Sequence, residues 1–201
     1  KSFNPASVNS SPLFPIDAQT TTTMYKNSIG AAYEVDLWKK LSSQQSMAAM
    51  ATIASRDVVE SIAIMQYLMA TYDAGSLQPD TTSPEYAKFL QWLHFGESGM
   101  GTYVVMLLGH TYLLPENMRS ESVATWGKAE ADNCLAFLSR GLGDREYLCG
   151  DTFTAADISV FYMLFLMKII RQFGDAPDNL QDYFNRLKAN PNWQKISAIT
   201  E

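Results

Sequence analysis

Glu60 and Ser61 stand where a short apolar run, Val58-Val59, gives way to a helical pattern. A helix start presents amides without internal acceptors and the positive end of the backbone dipole, so it favours a carboxylate. Ser61 can add a hydroxyl donor, and Glu60 is an acid suited to an ammonium group. The plainer alternative is that Ser61 caps the helix and Glu60 complements its dipole.

Other reactive groups are few. The two cysteines, Cys134 and Cys149, are too few for a disulfide scaffold or a four-thiolate metal site. Neither lies in the first 130 residues, which excludes a C-x-x-C redox site there. The two histidines, His94 and His110, form no H-E-x-x-H pair and read as packed or surface residues. Gly96-Glu97-Ser98-Gly99-Met100-Gly101 is neither G-x-G-x-x-G nor G-x-S-x-G, and it follows a helix instead of a strand. No metal site is expected.

The elements that must position these groups fall into two halves. Before residue 75 the pattern is mixed, with strand candidates at Tyr33–Leu37, Met47–Ile53 and Val58-Val59. A helix then starts near Glu60-Ser61, with Ile64, Tyr67, Leu68 and Tyr72 on its apolar stripe. Ala74-Gly75-Ser76-Leu77-Gln78-Pro79-Asp80 has linker composition. Beyond it the chain is helical. Ser83-Pro84-Glu85 is a start signal, followed by a stripe of Tyr86, Phe89, Leu90, Leu93 and Met100. A helix over 121–140 should turn Val123, Trp126, Leu135 and Leu138 inward. Thr154 and Asp157 form a capping box, with Phe153 and Ile158 as its staple, opening a long apolar helix over 155–172. Two short helices, 179–189 and 192–199, flank Asn190-Pro191. The expected fold class is α+β: a mixed domain over 1–75 and an all-helical domain over 83–201.

The 201 residues carry a formal charge of −6, which argues against nucleic acid as a partner. The longest apolar run, Ile158 to Ile170, contains Lys168 and is too short to span a bilayer. The opening KSFNPASVNSSP has no signal core, and with free thiols this sets the expectation of a cytoplasmic protein without membrane contact.

Three stretches resemble the cytosolic glutathione transferases. Val59-Glu60-Ser61-Ile62-Ala63-Ile64-Met65-Gln66-Tyr67-Leu68 is similar to the family's E-S-x-A-I-x-x-Y-L. Tyr147 to Ile158 is similar to Y-L-x-G-x-x-F-T-x-A-D-I. Tyr86 to Glu97 looks like the family's first long C-terminal helix. The resemblance implies an N-terminal thioredoxin-like domain, a helical C-terminal domain with an apolar substrate site, and a homodimer. It implies glutathione as co-substrate and transfer of its thiolate to a small hydrophobic electrophile. The alternatives are a non-catalytic binding relative, or a glutathione-dependent isomerase, etherase or dehalogenase.

The resemblance also assigns residues. Glu60 and Ser61 would hold the γ-glutamyl end. Met47, through its backbone, would hold the cysteinyl part, with Lys39 and Lys40 near the glycyl carboxylate. The stretch Phe3 to Ser11 matches the turn of serine-type members, where a hydroxyl stabilises the thiolate. Ser10 is the first choice for that role, Ser7 the second and Asn9 the third. Tyr103, Met106 and Tyr112 are either pocket or core residues. One departure is plain: no proline occurs between Pro15 and Pro79, so Ala48 stands where the family has its cis proline.

Overall fold

The computed structural model describes residues 60–72 and 77–197. Seven α-helices are defined among them: α1 Ser61–Tyr72, α2 Glu85–His94, α3 Thr102–Leu108, α4 Glu121–Leu142, α5 Ala155–Ile169, α6 Asp178–Lys188 and α7 Pro191–Ser197. The helical C-terminal domain is thus observed. The strand candidates and the mixed domain before residue 60 lie outside the described residues.

The sequence signals at helix starts have direct counterparts. The Glu85 amide donates to Ser83 Oγ at 3.2 Å, so the serine caps α2. Ser120 caps α4 by accepting from the Val123 amide. The box at α5 is complete, with the Thr154 amide donating to Asp157 Oδ2 at 2.8 Å. Helix α5 is shorter than its apolar run predicts. It ends at Ile169, and Arg171 follows with a positive φ of 59°.

The stripe beyond α2 does not end in a loop. Residues 95–101 form a π-helical segment, α3 follows, and residues 109–113 form a second π-helical segment. The junction residues His94, Gly101 and Leu108 are all right-handed helical, so one continuous rod runs from Glu85 to Leu113. Its first π-turn lies against α5. A Cβ on Gly96 would sit 2.2 Å from Ser159 Oγ and 2.6 Å from Ser159 O, so only glycine permits this approach.

The core joins α1 to the later helices. Ile64, Met65, Leu68 and Met69 of α1 are buried in one cluster with Phe89, Leu93, Met100, Leu138, Ile158, Phe161 and Leu164. Leu77 is buried with them, and its carbonyl accepts from the Ala155 amide at 2.9 Å. That bond satisfies one of the orphan amides of the first turn of α5. Three expectations are corrected. Tyr67 and Tyr72 are 46% and 38% exposed, because α1 buries the adjacent stripe containing Met65 and Met69. Trp126 is 50% exposed and packs edge-on against Tyr103, with centroids 5.7 Å apart.

Asp157 is the polar centre of this core. It is fully buried and accepts from the Leu148 amide at 3.0 Å, the Thr154 amide, Thr154 Oγ1 at 3.0 Å and the Tyr183 hydroxyl at 2.7 Å. Burial pushes its carboxyl pKa up, and the donated hydrogen bonds pull the other way. Replacing Asp157 by Ala strands several buried donors and is expected to cost about 3 kcal/mol or more. Tyr183→Phe removes one bond and should cost about 1–2 kcal/mol. Urea unfolding followed by circular dichroism checks both, and equal stability of all three proteins would contradict this account.

Candidate functional site

The chain enters α1 through an uncommon backbone conformation. Glu60 has a φ of 83°, which side-chain-bearing residues rarely adopt. Such outliers cost of order 1–3 kcal/mol and cluster at functional sites. The Glu60 carbonyl accepts from the Ile64 amide at 3.0 Å, the first bond of the helix. The amides of Ser61, Ile62 and Ala63 precede it and have no acceptor within α1. Glu60 itself is exposed and Ser61 half-buried. The helix start read from the sequence is therefore observed at Ser61, while the apolar run before it lies outside the described residues.

The structure adds a residue that the sequence reading passes over. Ser61 Oγ donates to Glu97 Oε1 at 2.5 Å, across 36 positions of chain. Glu97 lies in the first π-turn, half-buried, between the buried Leu93 and Met100. An acid inside an apolar stripe is the available signal. The glycines around it suggest loop motifs instead. The carboxylate faces the positive end of α1 and takes the single proton that Ser61 can donate. The start of α1, its mouth, thus holds three amides without an acceptor inside the helix, the Ser61 hydroxyl and its partner Glu97, beside the exposed Glu60. That set matches an α-amino carboxylate, whose anion wants donors and whose cation wants acids.

The remaining sequence candidates separate. Ser7, Ser10, Asn9, Met47, Lys39 and Lys40 lie outside the described residues. Tyr103 and Met106 lie beside α4, and Tyr112 reaches the end of α5. A Cβ on Gly127 of α4 would lie 3.2 Å from Tyr103 O and 3.4 Å from Met106 Cβ, so that face of the rod packs on α4. Tyr112 instead donates from its hydroxyl to the Ile170 carbonyl at 3.3 Å, beyond the end of α5. Val105, Tyr112 and Ile169 are 55%, 51% and 59% exposed.

Neither histidine has a metal-ligand neighbourhood. His94 is exposed, and His110 Nδ1 accepts from the Ser120 amide at 3.1 Å. No group of three His, Cys, Asp or Glu side chains suited to a metal occurs among the described residues. No helix among them is long and apolar enough to cross a membrane.

The thiols are not poised for chemistry. Burial, the largest cause, pushes Cys149 up to about 11, with Asp157 and Glu85 adding to it against a hydrogen bond from Thr154. Burial and Glu130 likewise raise Cys134. Thiolate is the reactive form, so both cysteines are suppressed at neutral pH. In native protein at pH 7.5, iodoacetamide should label Cys149 at under about a tenth of the rate in denaturant. Peptide mass spectrometry measures this, and equal rates would show the site to be open.

Comparison with known proteins places this geometry in context. Residues 115–189 match the family model described as the glutathione S-transferase C-terminal domain. The glutathione S-transferase stcT of Emericella nidulans is 29% identical over 141 residues, which cover 67% of this chain and 60% of that one. The chain thus spans less than two thirds of that relative's length. Among solved structures, the glutathione transferase URE2P6 from Phanerochaete chrysosporium, in complex with oxidized glutathione, superposes with a TM-score of 0.64. Its sequence is 25% identical, over 74% of this chain and 69% of that chain. The theta class glutathione S-transferase from Xanthomonas axonopodis pv. citri, with glutathione bound, gives a TM-score of 0.56 and 26% identity. The shares covered are 68% and 65%.

Proposed function

We propose that the chain, given its match to the glutathione S-transferase C-terminal domain and its likeness to solved glutathione transferases, is a member of that family that binds glutathione at the mouth of α1 and transfers its thiolate to an apolar electrophile. The observation that carries this reading is the helix start at Glu60-Ser61, with its positive φ and first-turn amides that have no acceptor within α1. The γ-glutamyl carboxylate settles on those amides, and Ser61 turns its proton from Glu97 to the ligand. Glu97 and Glu60 then meet the ammonium group, which keeps the two carboxylates apart. Met47 holds the cysteinyl backbone.

The chemistry requires a thiolate. Ser10, or else Ser7, donates its hydroxyl to the sulfur and favours the charged form, while the thiol proton leaves to solvent. The sulfur lone pair attacks the electrophilic carbon. A C–S bond forms, and the leaving group departs with the bonding pair. The exposed apolar residues Val105, Tyr112 and Ile169 offer a surface for the electrophile. The active form is a homodimer, in keeping with the family resemblance, and its place is the cytoplasm.

One observation favours a second reading, a glutathione-binding relative without turnover: Ala48 where the family has proline. Retention on immobilised glutathione and conjugation to 1-chloro-2,4-dinitrobenzene separate the two. Retention with turnover supports the transferase, retention alone supports the binding protein, and neither would overturn both. Ser61→Ala removes a hydrogen bond to a charged group, so affinity should fall about tenfold or more by calorimetry. Ser10→Ala or Ser7→Ala should lower the conjugation rate with little change in affinity. Unchanged rates in both would remove the catalytic assignment.

A further inference from the structure

The first π-turn has a local cause. Ser159 Oγ, fully buried on α5, donates to the Leu93 carbonyl at 2.8 Å. A side-chain donor on that carbonyl stands in for a helix amide, and such insertion opens an α-turn. The adjoining Gly96 lets the two backbones close until no Cβ would fit between them. Ser98 Oγ makes a similar bond to the His94 carbonyl at 2.8 Å. Between these two pinned carbonyls and the rest of the π-turn sits Glu97, whose carboxylate reaches Ser61.

An extra residue in a helix of 3.6 residues per turn rotates every later side chain by about 100°. The π-turn therefore decides which side chains of this segment face α1 and which face solvent. With it, Glu97 shares the inner stripe with Leu93, Met100 and Val104, all buried. The contact between α5 and the rod, formed far from the mouth in sequence, fixes where the acid points.

We infer that Ser159, acting through the Leu93 carbonyl and the glycine-permitted π-turn, is a positioning residue that aims Glu97 at the ammonium group of a ligand in the α1 mouth. The inference rests on the proposed glutathione reading. It deepens that reading by naming what enforces recognition of a free α-amino group. Ser159 touches no ligand, and its effect passes entirely through Glu97.

A double-mutant cycle on the full chain tests this, using titration calorimetry with glutathione and with glutathione acetylated at its α-amino group. Ser159→Ala should weaken glutathione binding by about fivefold or more in the parent, as coupled residues do. It should have no further effect in the Glu97→Ala background. It should also leave the affinity for the N-acetylated ligand unchanged, since that ligand lacks the cation. Ser159→Cys keeps the shape and a weak donor, and carries the same cycle if the alanine variant does not fold. An equal loss in both backgrounds, or an equal loss for both ligands, would show a merely structural role and overturn the inference. If the parent chain binds no glutathione, the functional reading itself fails and the positioning role with it. A parent that binds while the cycle shows no coupling overturns the positioning role alone.

Discussion

Asp157 is an anion placed in an apolar interior, and the helical domain is arranged around keeping it satisfied. Burying a carboxylate without partners costs many kcal/mol, so its neighbours are constrained more tightly than any hydrophobic contact requires. Its donors come from the turn at Leu148, from the start of α5 at Thr154, and from α6 at Tyr183. One side chain thereby fixes where the turn before α5 lies, where α5 begins and which face α6 presents. The apolar core then fills space whose outline is already set. Ser159 sits two positions along the same helix, so the register that satisfies Asp157 also brings α5 onto the rod at Gly96.

That chain of constraint reaches the candidate site. The mouth of α1 lies far from Asp157 in sequence, yet the acid facing it belongs to the segment that α5 bends into a π-turn. The electrostatics there are finely balanced. A carboxylate beside a helix start is favourable on its own, and it also holds the hydroxyl that an incoming anion would want. A ligand with only a negative end meets repulsion, whereas a zwitterionic end brings its own counter-charge.

The legible parts of the sequence are those governed by local physics. Ser83 before Pro84, and Thr154 three residues before Asp157, are short-range hydrogen-bonding patterns, and both appear as written. The E-S pair before an apolar period marks the helix mouth correctly. The parts that escape depend on contacts between distant segments. The first π-turn looks like loop sequence because three glycines fall in seven residues, and the Ser159 bond that accompanies its helical form comes from a distant helix. Glu97 gains a partner only once α1 is known to pass beside it. Periodicity also cannot choose between neighbouring stripes, so Tyr67 and Trp126 read as inward-facing while Met65 and Gly127 take those places. The serines and Met47, proposed for catalysis and peptide binding, lie outside the described residues.

Leu77 carries a consequence for how the helical half can be handled in isolation. Its side chain is 4% exposed, and its carbonyl closes the first turn of α5. The stretch around it has the composition of a spacer, but this residue is part of the interior. A fragment cut at the start of α2 would lose a core side chain and leave a helix-end amide seeking water. Excising the bundle intact therefore means carrying the approach segment along with it.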